Sequence, residues 1–408
     1  MAEETAAPKT GENGNGSALK MAGLLIRLVG RHIARTLNPD ASFPVDAGHF
    51  ETGMKALLAA AGEEAGVKEV RFIELSGGGP EWVPSGFEVV EGEEITIIAA
   101  GAIWASKLLD LRFGPRVGIW LKIGEEGRIF KAPSEAATIR APASGPLMLA
   151  AKPPGEWADE QGRFDPDYPR EGVSGAFRLC VLSWKNGATR GLEKIVEEAG
   201  SRQGEAPVLV RKTLERLRDP VSAPDGWRYL WRLGEGEIYR ETREGEARRI
   251  CCETHEDVGI LQFPADFPLT DKTRLKWRWK ADRLPSDLAE DVQPTHDYLS
   301  IAVEFENGQD LTYMWSSRLP EGTIFRCPLP WWDKRETHWV VRSDKAKLGQ
   351  WLEEEQSLRP DYAKAVGEPP ARIVRVWLIA VSVFQHGTGK CEFADIELTD
   401  GEKTLKIL

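Results

Sequence analysis

The run RLKWRWKA at residues 274–281 decides the fold of this chain. Its apolar and basic residues alternate strictly, and an alternation with a period of two is typical of a β-strand that buries one face. Trp277 and Trp279 share the face that we expect to point inward, whereas Arg278 lies on the opposite face. The run therefore predicts a strand of a sheet whose inner face is rich in tryptophan.

Similar strand patterns continue on both sides of this run, through residues 224–408. They lie at residues 250–252, 259–263, 297–305, 311–315, 338–342, 374–384 and 391–398. A helical pattern at residues 348–366 interrupts them. Many short strands with turn residues between them are typical of an antiparallel sandwich.

A second set of short strands fills residues 68–186. They lie at residues 70–75, 87–90, 94–99, 118–123, 138–141, 147–151 and 175–183, with Gly- and Pro-rich turns between them. Helical spacing appears at residues 18–67 and in a connector at residues 187–223, and residues 1–17 have the composition of a disordered tail. The predicted fold is mainly β: two antiparallel β-sandwich domains, of jelly-roll or lectin-like type, with N-terminal and connector helices.

The composition restricts the function. Acidic residues outnumber basic ones by 64 to 53, and a formal net charge of −11 repels nucleic acid and anionic membrane surfaces. No run of apolar residues is long enough for a transmembrane segment. The five cysteines form no CxxC pair, which favours a reducing, cytoplasmic location.

The segment at residues 18–37 is a candidate docking element. Its apolar residues recur at helical spacing with Lys20, Arg27, Arg31 and Arg35 between them. A basic amphipathic helix of this kind packs on its own protein or docks on a partner or a membrane. The sequence leaves these alternatives open, so a protein partner for this helix is a prediction.

Five short runs stand out between residues 86 and 184: VEGEEITI at 90–97, GP at 114–115, LKIG at 121–124, ASGPLML at 143–149 and SGAF at 174–177. Through them this segment resembles the small calcium-dependent galactose-binding lectins of bacteria. The resemblance implies a calcium-sugar site at the sandwich end, but AAK at 150–152 and EGV at 171–173 replace its ligands. In the loop at residues 152–173, Asp165, Asp167 and Glu171 could supply a few of the six or more oxygen ligands that calcium takes, but the family's site is lost, so we expect no cofactor.

The second half carries a different set of motifs: LKWRWK at 275–280, HDY at 296–298, VEF at 303–305, LTYMW at 311–315, RETHWVVR at 335–342 and ADI at 394–396. Through them residues 224–408 resemble the DUF3047 family of uncharacterised bacterial proteins. The resemblance implies a sandwich similar to concanavalin or to carbohydrate-binding modules, and no established reaction. FQHGTG at 384–389 stands where many relatives have an acidic loop.

Strand alternation selects a candidate site. On residues 297–305 the odd-numbered side chains from Leu299 to Phe305 are apolar, so Tyr298 and Glu304 point the other way. His338 and Arg342 share one face of their strand. If the strands are neighbours, one polar face carries Arg278, Tyr298, Glu304, His338 and Arg342. Such a face suits saccharides or is simply solvated.

Two function classes follow. We favour a non-catalytic binding or assembly protein that recognises a saccharide-like or other small polar ligand through Arg278 and Tyr298, or a protein partner. One of Trp331 and Trp332 would add an exposed stacking platform. The alternative is a lyase, cyclase or hydrolase in which Glu304 and His338 exchange protons and Arg342 assists. Cys251, Cys252 and His255 lack the second ligand pair of a zinc site, so no metal site is predicted.

Overall fold

The computed structural model describes residues 22–23, 25–30, 33, 37, 47–166, 172–245, 247–343 and 345–408. Within these residues, 22 strands form four sheets arranged as two sandwiches. The mainly β fold predicted from the alternating patterns is confirmed. The predicted tail at residues 1–17 lies outside the described residues.

The first sandwich pairs a five-stranded sheet with a four-stranded one. Its strands are β1 (Val67–Ser76), β2 (Val83–Val89), β3 (Glu94–Ser106), β4 (Leu111–Phe113), β5 (Ile119–Ile123), β6 (Phe130–Lys131), β7 (Ala136–Arg140), β8 (Gly145–Ala151) and β9 (Ser174–Trp184). One sheet has the order β1-β9-β3-β4 with β7 beside β3, and the other has the order β2-β8-β5-β6. Leu121, Leu149 and Phe177 are fully buried between them.

Helices cover the other face of the five-stranded sheet. They are α1 (Ala47–Ala61), α3 (Ala188–Ala199) and α4 (Glu205–Arg218), whereas the short helix α2 (Pro115–Gly118) lies beside β3. Gly66 adopts a left-handed conformation with φ 63° and ends the helical turn that follows α1. A Cβ atom on Gly191 would lie only 2.1 Å from the Trp184 ring, so glycine lets α3 approach the sheet.

The second sandwich pairs a seven-stranded sheet with a six-stranded one. Its elements are β10 (Arg228–Tyr229), β11 (Tyr239–Glu244), β12 (Ala247–His255), β13 (Val258–Pro268), β14 (Arg274–Arg283), β15 (Tyr298–Phe305), β16 (Asp310–Trp315), β17 (Ile324–Arg326), β18 (Glu336–Arg342), β19 (Leu352–Ser357), α5 (Leu358–Ala365), β20 (Arg372–Val381), β21 (Thr388–Thr399) and β22 (Thr404–Lys406). The larger sheet has the order β10-β13-β20-β15-β16-β18-β17. The smaller has the order β11-β12-β21-β14-β19, with β22 beside β21.

Two features of this sandwich differ from the prediction. Strands β16 and β18 are parallel, because the chain crosses over through β17 before it returns to the sheet. The predicted helix at residues 348–366 is wrong in its first part, where Leu352–Ser357 forms the edge strand β19. Pairing with β14, which places Leu352 opposite Trp279, outweighs the local preference of this Glu-rich run for a helix.

The seven-stranded sheet is buried on both faces. Leu299, Ile301 and Val303 face the six-stranded sheet, as the alternation predicts. The opposite face, with Tyr298 and Ala302, packs against the first sandwich, including Val117 of α2. Arg112 forms an ion pair with Glu256 at 3.0 Å across this boundary. The two sandwiches therefore share a packed interface.

No helix within the described residues is long and apolar enough to cross a membrane. Residues 25–30 are helical; Leu28 is buried there, whereas Ile26 is 73% exposed. Farther along the segment, Ile33 and Leu37 are also exposed. Docking of the segment at residues 18–37 on a partner stays a prediction.

Candidate functional site

A cavity of about 340 Å³ lies between the two sandwiches. Its walls are mostly apolar, since only Glu156, Gln293, Tyr298 and Glu336 contribute acidic, amide or phenolic side chains. The first sandwich and the loop that follows β8 supply Ile103, Ala105, Leu111, Phe113, Pro153, Pro154, Glu156 and Val173. The remaining lining residues include Leu233, Val258, Ile260, Leu329, Trp332, Ile379, Val381, Val383 and Phe384 of the second half. Neither half forms this cavity alone.

Tyr298 and Glu336 form the polar part of the cavity wall. The Tyr298 hydroxyl donates to Glu336 Oε1 at 3.0 Å, and the Thr312 hydroxyl donates to the same oxygen at 3.1 Å. These three residues lie on β15, β18 and β16, which are adjacent in the sheet. Glu336 is only 2% exposed, and two hydroxyl groups fix the orientation of its buried carboxylate.

Behind Glu336, four side chains with metal-ligating atoms converge. They are His296, Cys327, Glu336 and His338, all buried, and one ligating atom from each lies within 4.8 Å of the others. Cys327 Sγ is 3.4 Å from His296 Nε2, and His338 Nε2 is 3.5 Å from Glu336 Oε1. Imidazole, thiolate and carboxylate are the ligand types of zinc sites in proteins.

Local structure fixes the two imidazoles. His296 follows a short 3₁₀ turn at Gln293–Thr295, and its Nδ1 donates to the carbonyl of Glu290 at 2.6 Å. His338 lies on β18 with its ring stacked on Phe325 at 4.9 Å and set edge-on to His296 at 4.8 Å. Asp297, the residue after His296, accepts hydrogen bonds from the backbone of Phe384 and Gln385, at 3.0 and 2.7 Å. These bonds tie the turn that carries His296 to the segment after β20.

Burial dominates the electrostatics of this cluster. It lowers the pKa of His296 to about 3, with the neighbouring imidazole of His338 as the second cause. Burial also raises the pKa of the Cys327 thiol, and the carboxylate of Glu336 raises it further. Burial alone would raise the pKa of Glu336, but the adjacent imidazole of His338 outweighs it and lowers that pKa. The cluster therefore holds a buried carboxylate beside a neutral His296.

The sequence-predicted polar face is brought together only in part. Tyr298, Glu304 and His338 do share one face of the seven-stranded sheet, but that face is covered rather than open. Glu304 does not pair with His338. Its carboxylate accepts from Arg375 at 2.7 Å, from Arg335 at 3.2 Å and from the Trp377 indole at 3.1 Å.

The prediction that Arg342 and Arg278 share a face with His338 is wrong. A bulge shifts the register of β18 after Val340, so that Arg342 turns toward the six-stranded sheet and binds both oxygens of Glu354, at 2.6 and 2.9 Å. Arg278 belongs to β14 of the six-stranded sheet, where it is solvent-accessible and pairs with Asp395 at 2.9 Å. The expected trio of Glu304, His338 and Arg342 is therefore not assembled.

The adjacent tryptophans also differ from the prediction, since neither is an exposed platform. Trp332 is 7% exposed and lines the cavity. Trp331 is half-buried, with the Arg232 guanidinium 4.2 Å from the centre of its ring. The two rings meet edge to face at 4.9 Å because Trp331 adopts a positive φ of 71°, which turns the chain between them.

Sequence reasoning missed the roles of His296, Cys327 and Glu336. Strand alternation does place Glu336 beside His338, and His296 beside Tyr298, on the same faces. Cys327 follows β17, however, and only the crossover between β16 and β18 brings it to the cluster. The donors are spread over residues 296–338 without the short spacing of a metal motif.

Comparisons with known proteins give little beyond a family match. The xyloglucanase domain of NopAA, a type three effector from Sinorhizobium fredii solved with cellobiose, is similar at 10% identity and a TM-score of 0.27, covering 44% of this chain and 95% of that one. The N-terminal CBM22 tandem domain from Paenibacillus barcinonensis Xyn10C is similar at 8% identity and a TM-score of 0.22, covering 76% and 80%. Among curated proteins nothing matches significantly.

The resemblance of residues 86–184 to galactose-binding lectins finds no support in these comparisons. The resemblance of the second half is confirmed in the region that carries the cluster: residues 226–397 match the DUF3047 family, described as a protein of unknown function.

Proposed function

We propose that this chain binds a small molecule with a mostly apolar body in the cavity between its two sandwiches. The observation that carries the proposal is the cavity of about 340 Å³, which both halves of the chain line. Small-molecule sites commonly lie between domains, with apolar walls and a few convergent polar groups. The general expectation of a binding protein is kept, while the site moves from an open sheet face to the interface.

The polar groups of the wall define one end of the ligand. Glu336 can only accept hydrogen bonds while it is ionised, and the hydroxyl of Tyr298 already donates to it. Glu156 adds a second acidic group to the lining. A hydroxyl or ammonium group is therefore the best match for this end, and a carboxylate is a poor one.

A saccharide is a less suitable occupant than the sequence suggested. Each sugar hydroxyl that loses water without a new partner costs about 1–3 kcal/mol. The walls formed by Ile103, Val258 and Ile379 offer no such partners. The lyase, cyclase or hydrolase alternative loses its geometric basis, because Glu304 is held by two arginines and Arg342 lies on the other face.

Thermal denaturation with chemically simple probes tests the proposal. We expect 1-octanol and octylamine to raise the melting temperature of the full chain more than octanoate, and galactose to have no effect. Ala105 is exposed and lies at the cavity, so Ala105→Trp should block access and abolish the shift. Ala247 is an exposed alanine on β12, and Ala247→Trp is the matched control that should keep it. The proposal fails if no apolar probe stabilises the protein, or if both variants respond alike.

A further inference from the structure

The cluster of His296, Cys327, Glu336 and His338 has the dimensions of a coordination sphere. In a tetrahedral site with bonds of ~2.0–2.3 Å, neighbouring ligand atoms lie ~3.3–3.8 Å apart. Two separations in the cluster fall in this range, with 3.4 Å from Cys327 Sγ to His296 Nε2 and 3.5 Å from His338 Nε2 to Glu336 Oε1. All four ligating atoms lie within 4.8 Å of one another, so the widest separations must shorten when a metal binds.

Hydrogen bonds with neighbouring groups orient the side chains of His296 and Glu336 toward the cluster. The Nδ1–H of His296 is occupied by the Glu290 carbonyl, which leaves the lone pair of Nε2 directed at the cluster. Metal-bound histidines usually have this arrangement, in which the second ring nitrogen donates to a carbonyl or carboxylate. The hydroxyls of Tyr298 and Thr312 both donate to Oε1 of Glu336 and so fix the orientation of its carboxylate.

His338 is the strongest indication of a ligand. Its side chain is fully buried; within the described residues Nδ1 has no hydrogen-bond partner, and Nε2 lies 3.5 Å from Glu336 Oε1, too far for a well-formed hydrogen bond. A buried polar group without a partner costs about 1–3 kcal/mol, and such groups are rare in folded proteins. A metal bound to Nε2 would satisfy the nitrogen that points at Glu336.

We propose that His296, Cys327, Glu336 and His338 bind one divalent transition-metal ion, with zinc as the preferred ion. Two nitrogens, one sulfur and one oxygen suit zinc better than calcium or magnesium, which take oxygen ligands. On binding, the Cys327 thiol releases its proton, so the thiolate and the Glu336 carboxylate balance the 2+ charge of the ion. The metal site goes beyond the binding function proposed above and shares one residue with it, because Glu336 also lines the cavity.

Metal analysis of the full chain tests this proposal directly. We expect about one equivalent of zinc after purification, or after removal of metal with a chelator and reloading with zinc alone. Reloading with cobalt should give a thiolate-to-metal charge-transfer band. Cys327→Ser should lose this band, and both Cys327→Ser and His338→Gln should bind zinc at least tenfold more weakly. Cys180→Ser, which changes a fully buried thiol of the first sandwich, is the matched control and should bind like the wild type.

Two results would overturn the proposal. One is a wild-type protein that takes up no stoichiometric zinc and shows no cobalt–thiolate band, a measurement that needs no variant to fold. The other is zinc affinity in Cys327→Ser and His338→Gln equal to that of Cys180→Ser. Because Ala105→Trp should keep its metal, failure of ligand binding and failure of metal binding are distinguishable.

Discussion

The hydroxyl of Tyr298 offers the sharpest test of how the cavity and the metal cluster are built. Tyr298 is 3% exposed, and its hydroxyl donates to Glu336 Oε1 at 3.0 Å. Tyr298→Phe removes this single group while it keeps the ring packed against His296 and His338. Of the two hydroxyl groups that donate to Glu336 Oε1, that of Thr312 then remains.

The expected magnitude follows from the role of Tyr298 as a support for a ligand residue. Loss of a hydrogen bond to a metal ligand lowers metal affinity by about 10–100-fold. This factor corresponds to about 1.4–2.8 kcal/mol. Removing the donor also leaves a buried carboxylate oxygen less satisfied, which costs about 1–3 kcal/mol of folding stability in the metal-free protein.

Tyr239→Phe is the matched control for this substitution. Tyr239 is fully buried in the core of the second sandwich, and its hydroxyl donates to the carbonyl of Gly259 at 3.2 Å. Its loss should cost about 1 kcal/mol of stability without any change in metal affinity. Competition for zinc against a coloured chelator measures the affinities of the wild type and both variants. If Tyr298→Phe binds zinc within about twofold of the control, Glu336 is not a metal ligand supported by Tyr298, and the reasoning is refuted.

Two further substitutions test the structure away from the cluster. Glu304→Gln should destabilise the protein by about 2–3 kcal/mol, because it removes the buried carboxylate charge that Arg375 and Arg335 bind. Glu253→Gln on the exposed part of β12 is the control and should change stability by less than about 0.5 kcal/mol; equal melting temperatures would contradict this. Burial, with Glu135 as the second cause, raises the pKa of Glu205 to about 7 from 4.5, so its ionisation destabilises the fold increasingly between pH 4.5 and 7 and fully above pH 7. Glu205→Gln should therefore raise stability at pH 8 by on the order of 1 kcal/mol, after allowance for partial exposure, and change it little at pH 4, and thermal unfolding at both pH values checks this sign.

The alternation of apolar and polar residues predicts the strands well, because it reflects directly the burial of one face of each strand. Residues 297–305 show this clearly, since Leu299, Ile301 and Val303 do face the core of the second sandwich. The same pattern could not show that the other face is buried too. Ser300 and Ala302 are small enough to pack under the first sandwich, but small residues are equally common on solvated faces.

The prediction of a helix at residues 348–366 is wrong in its first part for a related reason. Leu352 and the glutamates that follow it are good helix formers by local propensity. Pairing with β14 makes them a strand, and it places Glu354 opposite Trp277, where Arg342 and the Trp279 indole bind its carboxylate. An edge strand chosen by tertiary contacts leaves no strong local signal in the sequence.

The metal cluster needed information that alternation does not contain. Its donors come from three separate places in the second half, and their meeting depends on a parallel pair of strands inside a largely antiparallel sheet. The bulge after Val340 has the opposite effect, since it removes Arg342 from the face where alternation places it. The order of the strands in the sheet and the positions of bulges are thus the features of this site that the sequence pattern does not predict.

Burial of the seven-stranded sheet on both faces explains why the site lies where it does. A polar group on its second face loses water when the first sandwich docks, so it needs a partner within the protein or a bound species. The carboxylate of Glu304 is bound by Arg335 and Arg375, whereas within the described residues neither ring nitrogen of His338 makes a well-formed hydrogen bond. Glu336 lies between the cluster and the cavity, so a metal and a cavity ligand would both interact with one carboxylate. By linkage, if the metal weakens the ligand's contact with Glu336, the ligand must weaken metal binding by the same factor.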